Sequence, residues 1–131
     1  MVSSTARAPQ ADVQMLGATA LQAFFAITSR WGLDTEDERI LLGRPPRSTF
    51  FKWKKERAAR LGHDVIERIS YVMGIYKALH ILLPSDEAAD AWPKKPNDAP
   101  LFGGRSALEK MRGGRVVDLA DVRRYLDAER G

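Results

Sequence analysis

The sequence predicts an all-α protein, and three observations lead to this fold class. Apolar residues recur at spacings of three and four over several segments, which is the period of one helix face. No stretch alternates apolar and polar residues for long enough to form a strand. Glycine or proline follows most of the periodic segments, where helices usually stop. We therefore expect about seven helices of uneven length.

The first two predicted helices occupy the chain from residue 11 to residue 43. The apolar face of the first helix consists of Val13, Leu16, Ala20, Phe24, Ile27 and Trp31. Gly32 is expected to end this helix in a left-handed conformation. Thr35 and Glu38 have the spacing of a capping box, which places the start of the second helix at Thr35. Gly43 is expected to end the second helix after about two turns.

The third predicted helix follows a stiff turn with the sequence Arg44-Pro45-Pro46. Proline does not continue a helix but readily starts one, so we expect this helix to run from Pro46 to about Arg57. Phe50 and Trp53 are three residues apart and are expected to face inward. At about 100° per residue, the opposite side of the helix carries Ser48, Phe51, Lys52 and Lys55.

The remaining predicted helices form the second half of the chain. The fourth runs from His63 to about Leu83 and carries two apolar rows, which fits either a face reserved for a partner chain or the central helix of a bundle. A short helix is expected between Ser85 and Pro93, and another begins near Ser106. The last runs from about Val117 to Glu129, and its predicted buried face consists of Leu119, Val122, Tyr125 and Leu126.

Positive charge is concentrated in one segment of the chain. The net charge is +4, and residues 1–62 hold ten Lys and Arg against six Asp and Glu, whereas residues 63–131 hold eleven of each. Between Arg44 and Arg60, seven cationic residues stand against Glu56 alone. Such a patch is typical of proteins that bind a polyanion. A solvated helix face explains the same run equally well on charge alone.

A short capped helix, a tight turn and a second helix with a basic outer face form the helix-turn-helix arrangement of DNA-binding proteins. The exposed face of the second helix enters the major groove, and longer cations reach the flanking phosphates. The expected base contacts are Arg47, Ser48, Phe51 and Lys52. The expected phosphate contacts are Arg44, Thr49, Lys54 and Lys55. For Phe51, packing on the first helix is the alternative.

Composition excludes several classes of site. The chain has no cysteine and only two histidines, which excludes disulfides and thiolate or histidine-rich metal centres. No phosphate-binding loop of the GxxxxGK[ST] form and no catalytic constellation is present, so we expect no enzyme activity, cofactor or small-molecule substrate. No apolar run reaches the roughly 18 residues that span a bilayer. Met1–Gln10 reads as a disordered start rather than a secretory signal, which predicts a cytoplasmic protein without a membrane partner.

Several segments resemble one protein family. The stretch LLGRPPRSTFFKW, residues 41–53, is similar to the Xre-like helix-turn-helix of the Xre/MbcA/ParS antitoxins. Trp92 followed by Pro96-Asn97, the stretch LFGGRSAL at residues 101–108 and the stretch DVRRYL at residues 121–126 resemble the toxin-binding domain of the same antitoxins, in the same order. The resemblance covers roughly residues 15–131.

This resemblance implies a type II toxin–antitoxin function. Such antitoxins are homodimers that bind a RES-domain toxin and cover the entrance to its active site. The toxin consumes NAD or transfers ADP-ribose from it. The antitoxins also repress their own operon by binding operator DNA. It implies a helix-turn-helix domain at residues 11–62 and a toxin-binding and dimerisation domain at residues 63–131. The implied toxin contacts are Asn97, Gly103, Gly104, Arg105 and Ser106, followed by Arg123, Arg124, Tyr125 and Gly131.

Other interpretations of these features stay open. The chain is alternatively a stand-alone helix-turn-helix repressor without a toxin, or an adaptor whose helix-turn-helix no longer binds DNA. Gly103 and Gly104 need only form a left-handed turn, and the spacing of Tyr125 also suits a core residue. The two prolines before the recognition helix depart from the polar pair found in many such turns, which affects which residues reach the bases.

Overall fold

The computed structural model describes residues 10–56 and 59–131, with side chains from Gly17 onward. Within these residues the chain forms seven α-helices and one 3₁₀ turn, and the pairing characteristic of strands is limited to a single bridge between Pro96 and Ser106. The predicted all-α fold is confirmed. Of the predicted disordered segment Met1–Gln10, only Gln10 is among the described residues, and it begins the first helix. Arg57, the predicted end of the third helix, lies outside the described residues.

The helices follow one another in a simple order. They are α1 (Gln10–Arg30), α2 (Thr35–Leu41), α3 (Arg47–Glu56), α4 (His63–Leu82), α5 (Asp86–Ala91), a 3₁₀ turn (Trp92–Lys94), α6 (Ala107–Met111) and α7 (Val116–Glu129).

Helix α1 ends as its sequence predicts. Phe24, Ile27 and Trp31 are buried, and Gly32 has a φ of 68°, the left-handed conformation expected at the end of the helix. The side chains of Val13 and Leu16, which complete the predicted apolar face, lie outside the described residues.

The cap of α2 differs from the prediction by one residue. Asp34, not Thr35, is the N-cap: its carboxylate accepts a hydrogen bond from the N–H of Asp37 at 2.8 Å, and the carboxylate of Asp37 accepts from the N–H of Asp34 at 3.3 Å. The acidic run contains two pairs at capping-box spacing, and aspartate is among the best N-cap residues, so the earlier pair forms the box. The hydrogen bond from the N–H of Asp37 lowers the pKa of Asp34.

Helix α4 is the central helix of the bundle. It packs against α1 and against α7, and it buries Ile69, Val72, Ile75 and Leu79. Ile69 and Leu79 belong to one of the two predicted apolar rows and Val72 and Ile75 to the other, whereas Met73, in the same row as Ile69, is 42% exposed. Burial between two neighbouring helices accounts for most of the apolar circumference of α4.

The short elements of the second half close one end of the core. The Nζ atom of Lys94 donates a hydrogen bond to the carbonyl oxygen of Gly32 at 2.6 Å, and Arg30 forms an ion pair with Asp90 at 3.6 Å. These contacts attach α5 and the 3₁₀ turn to the end of α1. The described helices bury one continuous apolar core. No described helix combines the length and the hydropathy of a membrane-spanning segment.

Candidate functional site

Helix α3 is anchored by one aromatic side chain and exposes most of the rest. Phe50 is fully buried, and its ring packs edge to face against Phe25 of α1 with a centroid separation of 5.8 Å. Trp53 is half-buried. The exposed side of α3 consists of Arg47, Ser48, Phe51, Lys52 and Lys55, with Thr49 half-buried beside them. The structure therefore brings most of the predicted DNA contacts together on one surface.

Phe51 lies on this surface and is 44% exposed. Its ring rests edge to face on Phe50 of the same helix at 5.2 Å, and the guanidinium of Arg47 lies 5.3 Å from its centroid. Arg47 also forms an ion pair with Glu36 of α2 at 3.3 Å. Arg47 and Phe51 are thus held next to each other at the start of α3, where a recognition helix meets base edges.

Lys54 points in a different direction from Lys52 and Lys55. Its Nζ atom lies 2.7 Å from the carboxylate of Glu38, which is nearly fully buried and also accepts a hydrogen bond from the hydroxyl of Thr28 at 2.6 Å. A buried carboxylate needs a cation and hydrogen bonds to compensate for lost hydration. Lys54 therefore tethers α3 to α1 and α2. The sequence reasoning missed Glu38 and Thr28, since neither lies in the basic run.

Arg44 has an unusual backbone conformation. Its φ is 60°, directly after Gly43 with a φ of 92°, so two consecutive residues before α3 are left-handed. Such a conformation is uncommon for a residue with a side chain. The N–H of Arg44 donates to the carbonyl oxygen of Arg39 at 2.8 Å, and the guanidinium of Arg39 donates to that of Pro45 at 3.0 Å. These bonds fix the turn that precedes α3.

The same turn lies against the loop between α6 and α7. The guanidinium of Arg44 is so close to Gly114 that a Cβ on this glycine would come within 3.2 Å of its Cζ atom. Arg68 of α4 is buried, binds Asp64 at 2.9 Å and donates to the carbonyl oxygen of Gly114 at 2.9 Å. Nothing in the local sequence indicates the contacts of Arg44 and Arg68 with Gly114, because they join residues that are far apart in the chain.

The loop from Asn97 to Ser106 is closed by its own backbone. The N–H of Asn97 donates to the carbonyl oxygen of Arg105 at 3.0 Å, and the N–H of Gly104 donates to that of Asn97 at 2.9 Å. The side chain of Asn97 accepts from the N–H of Ala99 at 2.9 Å. Gly103 and Gly104 have φ values of 60° and 90°, which explains why glycine stands at both positions.

The last two residues of this loop lie in different environments, one buried and one exposed. Ser106 is buried, and its hydroxyl caps α6 by accepting from the N–H of Glu109 at 3.1 Å. Arg105 is exposed and lines a small cleft of about 160 Å³ with Leu101 and Glu109. In the part of the chain that the structure describes, Arg105 has no ion-pair partner. Its charge is therefore available to a second molecule.

The predicted contact residues of α7 are distributed over more than one environment. Arg124 is exposed and pairs with Asp121, and Gly131 is exposed at the end of the chain. Arg123 binds Asp127 at 3.2 Å and lies across Gly74 of α4. Tyr125 is half-buried, with its ring 5.2 Å from that of Phe102.

The aromatic contact connects the loop to α7. Trp92, Phe102 and Tyr125 form one cluster, in which Trp92 stacks on Tyr125 at 6.4 Å and meets Phe102 edge to face at 5.8 Å. Phe102 belongs to the Asn97–Ser106 loop, so the two groups of predicted toxin contacts share a common support. Trp92 and Phe102 belong to the segments that resemble the antitoxin family, but the sequence did not predict that their rings pack together.

Asp118 organises the start of α7. It is almost fully buried and accepts hydrogen bonds from Lys110 at 2.9 Å and from the guanidinium and the N–H of Arg115 at 3.1 Å each. Burial raises the pKa of Asp118, but the hydrogen bonds from Arg115 and Lys110 outweigh this and lower the pKa to about 2. The hydrogen bond to Asp118 correspondingly raises the pKa of Lys110.

The described residues do not assemble a metal centre. No group of three or more His, Cys, Asp or Glu side chains in residues 10–56 and 59–131 is placed to hold an ion. The two surfaces identified above are thus a basic helix face and an exposed, arginine-bearing loop, which are arrangements suited to binding other macromolecules.

Comparison with known proteins agrees with this organisation. Residues 14–74 match the antitoxin Xre-like helix-turn-helix domain, and residues 78–131 match the antitoxin Xre/MbcA/ParS C-terminal toxin-binding domain. The first match ends and the second begins within α4, at residues 74 and 78. The predicted domain boundary between residues 62 and 63 therefore stays a prediction. A curated relative, the uncharacterized protein y4oB of Sinorhizobium fredii (strain NBRC 101917 / NGR234), is 53% identical over 111 residues, which is 85% of this chain and 84% of the relative. The chain belongs to the Xre/MbcA/ParS family of antitoxins.

Proposed function

We propose that this antitoxin neutralises a RES-domain toxin, which consumes NAD or transfers ADP-ribose from it, by covering the entrance to the toxin's active site. The observation that carries the proposal is the Asn97–Ser106 loop, which lies within the matched toxin-binding domain and is closed by its own hydrogen bonds. Its Arg105 is exposed and forms no ion pair within residues 10–56 and 59–131. A loop whose backbone is already held in place loses less conformational entropy on binding than a segment that has to be ordered first.

The toxin-contact surface that we propose extends from this loop to α7. Arg105, Gly103 and Gly104 form its exposed tip, and Tyr125 and Arg124 continue it across the aromatic cluster. Asn97 and Ser106 contribute by holding the loop and the start of α6 in place. The chain acts by binding and steric occlusion, not by catalysis, and needs no cofactor.

We further propose that the antitoxin is a cytoplasmic homodimer that represses its own operon. Arg47, Ser48, Phe51 and Lys52 are the proposed base contacts, and Thr49 and Lys55 lie beside them as phosphate contacts. Arg44 and Lys54 also belong to the proposed phosphate contacts, but in the free protein they are directed toward Gly114 and Glu38. A two-fold symmetric repressor implies an operator with an inverted repeat.

Co-expression with the neighbouring open reading frame tests the main proposal. We expect the neighbour's product to arrest growth and deplete NAD, or to ADP-ribosylate a target, when it is expressed alone. It should be harmless and should co-purify with this chain when the two are expressed together. A neighbour that is neither toxic nor bound contradicts the proposal.

The second candidate function is a stand-alone repressor, and the exposed basic face of α3 supports it as well as it supports the antitoxin. The two functions differ in the role of residues 97–131. A repressor without a toxin binds its upstream DNA whether or not Arg105 is present, and no second protein is recovered with it.

A further inference from the structure

A small apolar cleft lies where α4 and α7 end. Its volume is about 210 Å³, and its lining includes Leu79, Leu82 and Leu83 at the end of α4 and the rings of Trp92 and Tyr125. Leu79 is buried, whereas the other four side chains are half-buried. An apolar cavity of roughly 150 Å³ holds a benzene molecule, whereas pockets for small molecules usually have about 300 Å³ or more. The cleft therefore has the size of one side chain of another molecule.

One carboxylate also lines this cleft. It belongs to Glu129, the last residue of α7, which is exposed. In the part of the chain that the structure describes, Glu129 forms no ion pair, although the nearby Asp127 pairs with both Arg123 and Arg130. The C-terminal end of a helix carries the negative pole of its dipole, so an acidic side chain is unfavourable there. The stability of α7 thus gives no reason for a glutamate at this position, whereas a cation supplied from outside does.

The cleft is continuous with the proposed toxin-contact surface. Trp92 and Tyr125 line the cleft and also form the aromatic cluster with Phe102. Phe102 in turn belongs to the Asn97–Ser106 loop. A toxin that contacts this loop and Tyr125 therefore also lies next to the cleft.

We propose that the cleft receives one long basic side chain of the toxin, whose charged group binds the carboxylate of Glu129. Lysine and arginine pack their methylene groups on apolar surface and keep the charged end at a polar edge. The cleft provides apolar surface in its leucines and rings and a polar edge in Glu129. The inference rests on the proposed function, and it states the chemistry of one contact that the toxin makes.

Arginine suits this cleft best. Its guanidinium binds a carboxylate through two parallel hydrogen bonds, and arginine is enriched among the residues that dominate the affinity of protein interfaces. An apolar side chain of the toxin would fill the same volume, but it would remove water from the carboxylate of Glu129 without supplying a cation in return. The unpaired charge therefore decides in favour of a basic occupant.

The test measures the Kd between the full chain and the toxin of the co-expression experiment by isothermal titration calorimetry. Glu129→Gln removes the charge at nearly constant size and should raise this Kd about tenfold or more. Glu87→Gln is the matched control, because Glu87 is an exposed glutamate of α5 that does not line the cleft. It should leave the Kd unchanged, and circular dichroism should show that both variants are folded.

A second set of variants identifies the partner side chain. Each exposed arginine and lysine of the toxin is replaced by alanine and combined with Glu129→Gln. We expect one of these replacements to raise the Kd as Glu129→Gln does and to have no further effect in combination with it, because a pair of charges is lost only once. Leu82→Trp places a larger side chain in the cleft and should also raise the Kd.

The outcomes separate this inference from the proposed function. A toxin that binds the wild type and Glu129→Gln equally overturns the inference and leaves the proposed function intact. Weaker binding by Leu82→Trp alone assigns the cleft to an apolar side chain, and a change in the sedimentation of the isolated chain with Glu129→Gln assigns it to a second copy. Both results overturn the basic partner. A wild type that binds no toxin contradicts the proposed function and the inference together.

Discussion

Asp37, in the first turn of α2, forms an ion pair with Arg112 at the end of α6, 75 positions later in the chain. The same carboxylate completes the cap of α2. Arg68 and Arg44 reach Gly114 next to this pair. The turn that leads into the recognition helix is therefore fastened to the toxin-binding half of the protein, and side-chain contacts determine how the two surfaces are oriented.

Removing Arg112 should weaken this connection. Asp37 is buried, so Arg112→Ala leaves a carboxylate without its cation. Because Arg112 itself is partly exposed, we expect a loss of roughly 1–2 kcal/mol in the free energy of unfolding. Urea denaturation followed by circular dichroism measures this loss. Arg130→Ala is the control, since its pair with Asp127 at 3.7 Å is exposed and should contribute less than about 0.5 kcal/mol. Equal effects of the two substitutions would contradict the structural role of Arg112.

The basic face of α3 predicts a salt-dependent DNA affinity. Lys52 is exposed, so Lys52→Ala should weaken operator binding without affecting the fold and should reduce the slope of log K against log salt by about 1 if Lys52 neutralises one phosphate. Fluorescence anisotropy at several salt concentrations measures both quantities. Lys95→Ala, an exposed lysine of the C-terminal half, is the control. An unchanged affinity for Lys52→Ala would remove this residue from the interface.

Arg47→Ala should have a different signature. If Arg47 contacts a base, its loss weakens binding by about 1–3 kcal/mol and relaxes specificity at one operator position. Its pair with Glu36 is exposed and contributes little to stability, so the fold should be retained. Competition with single-base operator variants measures the change in specificity. A uniform weakening over all operators would assign Arg47 to a phosphate instead.

Arg105 provides the corresponding test of the toxin surface. Its side chain is exposed, so Arg105→Glu should leave stability unchanged and raise the Kd for the toxin about ten- to hundredfold through charge reversal. Growth arrest should return on co-expression, while operator binding stays at the wild-type level. Lys95→Glu makes the same change in net charge at an exposed position two residues before the loop. If both variants lose neutralisation equally, overall charge rather than the Arg105 contact is responsible.

The elements that the sequence predicts well are those whose causes are local. The period of α1 and α7, the left-handed Gly32 and the start of α6 near Ser106 all depend on residues within four positions of one another. The predicted N-cap of α2 was wrong by one residue because the pairs Asp34–Asp37 and Thr35–Glu38 have the same spacing. Local pattern identifies a capping box there, but backbone conformation decides its register.

The elements that the sequence misses depend on the packing of distant segments. Lys54 belongs to the basic run by sequence, yet the buried carboxylate of Glu38 directs its ammonium group toward α2. The contacts of Arg68 with Gly114 and of Arg112 with Asp37 span 46 and 75 positions. No periodicity or spacing encodes such pairs, so the sequence predicts two binding surfaces but not the contacts that join them.

Asp118 makes the stability of the protein dependent on pH in the acidic range. Because its pKa is about 2 in the folded protein, below the ordinary value of 3.8, its ionised form stabilises the fold above about pH 4, and this contribution is lost as the pH falls from about 4 through 2. Asp118→Asn should therefore be less stable than the wild type at pH 7, by roughly 2 kcal/mol from the weakened bonds to Lys110 and Arg115.

The difference between wild type and Asp118→Asn isolates this carboxylate from the others. We expect the difference to shrink between pH 4 and pH 2 in urea denaturation experiments, because protonation removes from the wild type what the substitution has already removed. Asp98→Asn, an exposed position in the loop, should follow the wild-type curve throughout. A constant difference between Asp118→Asn and the wild type over this range would show that Asp118 acts through packing alone, since packing does not titrate.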